Sequence, residues 1–414
     1  MDSFLQIVLY VFIFFSLYVQ VFFLVTFFEK RRKLKIANNN VVILHYPTIG
    51  IIVPCWDEEK TIVSSIESIL SVDYPIDKLK IYIVDDGSKD NTWQILQTFI
   101  DHPQIKVYHK ENGGKYTAMN FALEYVDTEL VISVDADTVL EKNALVEMVK
   151  FFQENPNVSA VGGTILIGNP KAISQKAQSI EYQMFSYNKK MLGLMGGVLV
   201  APGAFSVYKT KILKKVGGWQ HGHLLEDLEL TFRIQQHGYT VDHCHTAVAY
   251  TKGPETFKKL WKQRIRWGTG FLHNTKKYKN MIFNKKFGNF GMFTIPMSLF
   301  AYLALVFVFF YSWYRIILML IEKIQSAQIV GWSHLFSGEF SWNWFFIDTK
   351  TASFLSIILF GSIIMAILLG RKLSGAKESL FYILWYFLIY SFTQPLWIIR
   401  SIYSTIVSKK ETWR

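Results

Sequence analysis

Cysteine is almost absent from this chain: Cys55 and Cys244 are the only two in 414 residues. Two thiols build no disulfide framework, and neither falls in a cluster of metal ligands, which is the usage of a reduced, cytosolic domain. No small-residue cleavage site follows the apolar N-terminal run Phe4 to Phe28, and the run is too long for a signal peptide, so it reads as an uncleaved membrane span. No internal repeat and no low-complexity segment is visible, which excludes repeat arrays and linker-like chains.

What the chain has in excess is apolar and aromatic residues, 51% and 16%, gathered at its two ends. That distribution points to membrane spans rather than to a greasy soluble core. The basic cluster Lys30-Arg31-Arg32-Lys33 directly after the first run belongs in the cytoplasm. The formal charge of +12 is also local, with eleven Lys/Arg against the single acid Glu255 between Lys252 and Lys286. A nucleic-acid patch is one reading of such a run. Phe257, Leu260, Trp261, Trp267 and Phe271 interleave the charges, however, which favours an interfacial region facing anionic lipid and argues against a nucleic-acid partner.

The length allows one α/β domain plus a membrane part. From Pro47 to about Val248, short apolar β-rich runs (Ile51 to Val53, closed by Pro54; Ile81 to Val84; Leu130 to Val134) alternate with helical patterns at Thr92 to Ile100, Tyr116 to Val126 and Ala144 to Glu154. This alternation predicts a mainly parallel sheet covered on both faces, with ligands beyond the carboxyl ends of the strands. The predicted organisation is an N-terminal helix and basic flank over 1–36, an α/β domain over 37–250, basic interfacial helices over 251–290 and a membrane region over 291–414. Spans are expected at Met292 to Ile321, Phe354 to Leu369 and Leu380 to about Ile402, with Glu322 to Lys350 outside and Arg371, Lys372 and Lys377 in the cytoplasm. The tail Lys409-Lys410 also wants the cytoplasm, which a single last span forbids; a pair of half-helices around Pro395 would resolve the conflict.

Chemistry-bearing residues cluster after the predicted strands. Pro54-Cys55-Trp56-Asp57-Glu58 ends the first, where Asp57 has the alternative role of capping the next helix. Asp85-Asp86-Gly87-Ser88 ends the second; alone it would read as a turn. Asn112-Gly113-Gly114-Lys115 opens a helix, where Lys115 suits a phosphate, although the spacing is not that of a Walker loop. Asp135-Ala136-Asp137 follows the third strand, and Glu226-Asp227 comes later, near His221 and His223, which read as loop histidines rather than zinc ligands. Last comes Gln263-Arg264-Ile265-Arg266-Trp267, in which Gln263 and Arg266 share a helix face.

Three ordered carboxylate clusters followed by Gln-x-x-Arg-Trp and membrane spans resemble the membrane-embedded family 2 glycosyltransferases. The run from Ala201-Pro202-Gly203-Ala204 through Gly217-Gly218-Trp219 and Pro254-Glu255-Thr256-Phe257 to Trp267 is similar to bacterial poly-β-1,6-N-acetylglucosamine synthases and related processive enzymes. The resemblance implies a GT-A catalytic domain, cytoplasmic and inserted between transmembrane helices of a multi-pass plasma-membrane protein. It implies a UDP-sugar donor gripped by Pro54, Trp56, Asp57, Glu58 and Asp86, with Lys115, Asp135, Gln263 and Arg266 around the diphosphate. Asp135 and Asp137 would hold Mg2+ or Mn2+ together with diphosphate oxygens. Asp227, beside Glu226, would be the general base, and Gly203, Ala204 and Trp267 would hold the acceptor. The expected reaction is inverting, processive β-transfer, with UDP-N-acetylglucosamine as the expected donor and a polymer threaded through the membrane part, where accessory export or synthase subunits fit. A cyclic-di-GMP-binding module is not expected. Ceramide glucosyltransferases carry a similar Arg-Trp motif, so a single transfer to a lipid acceptor is the competing reading. A catalytically dead scaffold would require loss of a key carboxylate. The departures from the family pattern are Asp57 in place of Asn and Leu225 in place of Thr.

Overall fold

The computed structural model describes residues 2–36, 43–332 and 351–407. Its centre is one eight-stranded sheet, made of β1 (Ile49–Cys55), β2 (Leu79–Asp85), β3 (Ile105–His109), β4 (Leu130–Val134), β5 (Thr138–Leu140), β6 (Val158–Ile167), β7 (Phe205–Lys209) and β8 (Thr240–Thr251). The order is β3-β2-β1-β4-β7-β6-β8-β5. The first four strands are mutually parallel, β6 and β8 are parallel, and β7 and β5 run the other way. β1 runs one residue past the predicted stop. Pro54 fits inside it because pairing with β4 ends at Ile52, so the missing N–H leaves no gap in that ladder.

Helices cover both faces. Ile49, Ile51 and Val53 pack with Ile62 and Ile66 of α2 (Ile62–Leu70), Leu96 of α3 (Thr92–Gln97) and Met148 of α5 (Ala144–Glu154). Ile52 and Tyr82 point the opposite way, onto Met119 of α4 (Lys115–Tyr125), Leu213 of α7 (Thr210–Lys215) and Leu230 of α8 (Glu226–Gln236). Alternate strand residues therefore serve two cores, as expected of a sheet buried on both sides. The helix expected over Thr92 to Ile100 is shorter than its pattern: α3 stops at Gln97.

The remaining helices are α1 (Asp2–Ile36), α6 (Ile173–Leu194), α9 (Phe257–Lys277), α10 (Ile295–Val330), α11 (Thr351–Ser374) and α12 (Tyr382–Val407). α1, α10 with the residues just before it, α11 and α12 are long and apolar enough to cross a membrane. α10 continues nine residues past the expected Ile321, and most of the segment expected outside, 333–350, lies beyond the described residues. The half-helices expected around Pro395 are not found: α12 is one continuous helix with Pro395 buried inside it, and Lys409 and Lys410 lie outside the described residues. α6 and α9 join the two parts of the molecule. α6 packs Tyr187 and Met191 against Phe23 of α1 and Ala366 of α11. α9 is capped at its start by Thr256, whose hydroxyl oxygen accepts from the Lys259 N–H at 3.3 Å.

Candidate active site

β2, β1 and β4 are adjacent and parallel, so the residues that follow them meet at one sheet edge. β7 runs antiparallel to β4 with Phe205 opposite Val134, which delivers Gly203 and Ala204 to the same edge. β5 runs against β8 with Thr138 opposite Thr251, which brings Asp137 there too. The fold thus collects carboxylates from four separate stretches of chain.

Asp86 is 3% exposed and lines the cavity. Its carboxylate accepts from the Gly113 and Gly114 N–H groups at 3.1 and 2.8 Å and pairs with Lys110 Nζ at 2.6 Å. The Asn-Gly-Gly turn is fastened to it in this way. Gly87 is obligatory beside it: its φ is +72°, and a Cβ would stand 2.9 Å from the Asn112 nitrogen.

Lys115, at the first turn of α4, reaches across the site to Asp135 Oδ1 at 2.6 Å and Glu226 Oε1 at 3.1 Å. Burial works against its charge, yet Asp135, Glu226 and Asp227 together hold the ammonium pKa well above the usual range. Asp137 shows the opposite imbalance. Burial, then the charges of Asp135 and Glu58, push its carboxyl up to about 7, and its Oδ1 accepts only weakly, from the Thr251 hydroxyl at 3.3 Å and its neighbour Thr138 at 3.4 Å. A carboxylate crowded by like charges fits a site built for a divalent cation. Among the described residues, no group of three His, Cys, Asp or Glu stands close enough to hold an ion by itself. The pair Asp135 and Asp137 therefore suits an ion that takes its other oxygens from a ligand such as a diphosphate.

Asp227 is aimed by backbone. Its Oδ2 accepts from the Gly203 N–H at 2.9 Å and its Oδ1 from its own helix, the Leu228 N–H, at 2.8 Å. A Cβ on Gly203 would meet Lys115 Nζ at 3.0 Å and the Asp227 side chain at 3.6 Å, so this glycine keeps the base and the lysine in one small space.

The α9 motif forms another wall. Gln263, Arg264, Arg266 and Trp267 all line the cavity, and Gln263 Oε1 accepts from Gln178 Nε2 at 3.0 Å. One face of Trp267 is covered by Arg264, whose guanidinium lies 4.4 Å from the ring centroid. Pro54, Trp56 and Glu58 line the cavity as well. Asp57 does not. It adopts φ +55° and spans to the β2–α3 loop, donating its N–H to Ser88 Oγ at 2.9 Å and accepting from the Lys89 N–H at 2.7 Å. Nor does it cap α2, whose N-cap is Thr61. His221 and His223 sit in the turn before α8, with His223 stacked on His273 of α9 at 4.2 Å.

The cavity has a volume of about 1180 Å3 and continues from these residues to Ser298 and Tyr302 of α10 and Gln394 and Trp397 of α12. A model of the glycosyltransferase-like family 2 matches residues 47–270, which carry all of these carboxylates and the α9 motif. The chain belongs to glycosyltransferase family 2. It is 30% identical over 317 residues to the poly-β-1,6-N-acetyl-D-glucosamine synthase of Staphylococcus epidermidis, covering 75% of this chain and 73% of that protein. It is 31% identical over 224 residues to the synthase of the same name from Staphylococcus aureus strain COL, covering 54% of each. A mannosyltransferase of Pyrobaculum calidifontis, solved with GDP-Man and Mn2+, superimposes with a TM-score of 0.61 at 18% identity, covering 97% of this chain and 99% of the other. The transferase thus has the GT-A fold, flanked among the described residues by four helices apolar enough to span a membrane.

Sequence reasoning missed the α6 wall of the site. Asn188, Lys189 and Glu181 all line the cavity. Among the described residues the Lys189 side chain finds no hydrogen-bond or ion-pair partner. Burial pushes its pKa down to about 8, against the pull of Asp227. The available signal was the recurrence of polar residues at helical spacing along α6, at Gln178, Glu181 and Lys189.

Proposed function

We propose that this transferase is a processive, inverting β-glycosyltransferase. It polymerises the sugar of a UDP-sugar, UDP-N-acetylglucosamine, at the cytoplasmic face of the plasma membrane and feeds the polysaccharide out between its membrane helices. The observation that carries the reading is the single cavity joining the carboxylate site to the α10 and α12 walls: a product growing at Asp227 has a path toward the membrane. The two staphylococcal relatives, named as poly-N-acetylglucosamine synthases, support the choice of donor and product.

In this mechanism Asp86, with Pro54, Trp56 and Glu58, grips the nucleoside, while Asp57 acts behind them by bracing the loop. Lys115 and Arg266 neutralise the diphosphate. Lys115 leaves its carboxylate partners for phosphate when the donor enters, which is why it is held charged beforehand. Asp135 and Asp137 would hold Mg2+ or Mn2+, as the Mn2+ in the archaeal mannosyltransferase suggests. Such an ion, when bound, stabilises negative charge on the leaving diphosphate. Asp227, fixed by the Gly203 N–H, takes the proton of the acceptor hydroxyl as that oxygen attacks the anomeric carbon from the face opposite the leaving group. Gly203, Ala204 and Trp267 bound the acceptor side.

The test is purified protein in lipid vesicles, with Mg2+ or Mn2+ and a panel of labelled UDP-sugars, followed by sizing of the product. A long polymer from UDP-N-acetylglucosamine is expected. A single labelled lipid would replace this reading with the lipid-acceptor one.

A further inference from the structure

α12 is long enough to cross a membrane, but its contacts do not suit a crossing. Along its whole length it stays on the charged helices that carry the active site. At its start, Lys176 Nζ of α6 lies 5.5 Å from the Tyr382 ring centroid. In the middle, the Tyr390 hydroxyl donates to Glu181 Oε2 of α6 at 2.8 Å and lies 3.2 Å from Arg264 of α9. Toward its end, Trp397 meets Trp261 of α9 at 6.3 Å, and the Ser401 hydroxyl donates to the Ile265 carbonyl at 3.3 Å. Tyr382 to Ser401 is a rise of about 29 Å, nearly the thickness of a bilayer core. A helix along the membrane normal would leave α6 and α9 behind within a turn or two. The opposite side of α12 is an exposed apolar stripe: Leu384, Leu388, Phe392 and Leu396 at four-residue intervals, then Tyr403.

We propose that α12 lies in the membrane plane as an interfacial helix, with this stripe in the acyl chains of the cytoplasmic leaflet. The apolar helices α1, α10 and α11 then make three crossings, and of these α10 and α11 pack on α12, with Phe360 of α11 against Phe387. Because Gln394, Trp397 and Ile398 line the active-site cavity, α12 also separates it from lipid on that side and leaves the path toward the membrane along Ser298, Tyr302 and Leu305 of α10. The arrangement removes the charge conflict at the C-terminus: α11 returns the chain to the side of Arg371 and Lys372, α12 stays there, and the tail with Lys409 and Lys410 is cytoplasmic. The inference rests on the membrane reading of α10 and α11 and is independent of which sugar is transferred.

Depth measurements test it. Leu384→Cys, Leu388→Cys, Phe392→Cys, Leu396→Cys and Tyr403→Cys are labelled one at a time with bimane in the full-length protein. The native Cys55 and Cys244 are buried and stay unlabelled. Quenching by nitroxide lipids of two depths in phosphatidylcholine vesicles then reports depth, with Phe310→Cys on the exposed face of α10 as the spanning control. Five depths within about one helical turn, ~5 Å, are expected. A profile that rises and falls across the bilayer from position 384 to 403 overturns the proposal. No quenching at position 310 removes the membrane reading itself, and the proposal with it. A C-terminal reporter fused to the full chain gives an independent readout, expected on the cytoplasmic side; an external reporter overturns the proposal even if one of the cysteine variants fails to fold.

Discussion

Arg264 and Glu181 form a buried ion pair that ties the motif helix α9 to the catalytic-domain helix α6, 83 residues apart in sequence. Tyr390 of α12 completes the group, with its hydroxyl 2.8 Å from Glu181 and 3.2 Å from Arg264. Arg264 also lies against the Trp267 ring. The second residue of the motif therefore serves as its anchor, while Gln263 and Arg266 face the cavity.

Breaking this pair from one side leaves an uncompensated buried charge. Burial already pushes the Glu181 carboxyl up, with Arg264 pulling it down. Arg264→Met is expected to cost roughly 3–5 kcal/mol, and Glu181→Met a similar amount. The double variant is expected to recover much of the loss, because neither charge is then stranded. Thermal unfolding of the four proteins in detergent checks this. Additive losses would mean that the two side chains act separately.

Asp227→Asn keeps an oxygen for the Gly203 N–H, so the loop geometry survives while the basicity is lost. Turnover is expected to fall by about 10²–10⁴-fold with donor affinity nearly unchanged. Stopped-assay kinetics alongside donor titration read the two separately. Turnover within tenfold of the parent would take the role of base away from Asp227.

The Asp137 carboxyl, pushed up to about 7 by burial and by Asp135 and Glu58, predicts a pH-dependent cation site. A divalent ion must displace its proton, so donor binding supported by Mn2+ should strengthen as pH rises through 7. The linkage in the metal-free protein has the opposite sign. A carboxyl whose folded pKa exceeds its unfolded value contributes stability below about pH 4, and that contribution is lost as pH rises through 7. Asp137→Asn is therefore expected to unfold a few degrees above the parent at pH 8 without metal, and to bind donor with no metal dependence. Equal melting temperatures at pH 8 would show that the carboxylates are not crowded.

Lys189 carries the reverse imbalance. Its pKa is pushed down to about 8 by burial, so its charge is a cost near neutrality. Because its folded pKa lies below the unfolded one, stability should rise as pH climbs from about 8 toward 10.5. Lys189→Met should melt at or above the parent temperature at pH 7. Thermal unfolding of both proteins at pH 7 checks this, and a variant melting several degrees below the parent would show that the buried ammonium is not a cost there.

Asp86 and Asp135 were legible because each follows a short apolar strand, and parallel strands end together; Glu226 and Asp227 open a helix instead and stood out only through the family resemblance. Lys115 was legible as the first residue after a Gly-Gly helix start. Asp57 was misplaced because its left-handed backbone turns it toward Ser88, which no pattern of residue types reports. The α6 wall was overlooked because Glu181 and Lys189 belong to a helix whose partners, Arg264 and Asp227, lie far along the chain. The course of α12 was hidden for a related reason. Composition measures how apolar a helix is, whereas its direction depends on where Tyr382, Tyr390 and Ser401 find partners.

Gly203 tests how closely the site is fitted. Its nitrogen positions Asp227, and the empty space at its Cβ admits Lys115 Nζ, which is pinned between Asp135 and Glu226. Gly203→Ala places a methyl group 3.0 Å from that ammonium. A free lysine would swing away at little cost, but this one must give up a carboxylate partner. The backbone φ of Gly203 is not in the left-handed range, so alanine adds no strain of its own. Stability should therefore hold while kcat/KM falls by tenfold or more, with most of the loss in donor capture, since Lys115 is the group displaced. If kcat/KM and the donor constant both stay at parent values, Lys115 is not confined as its two ion pairs require.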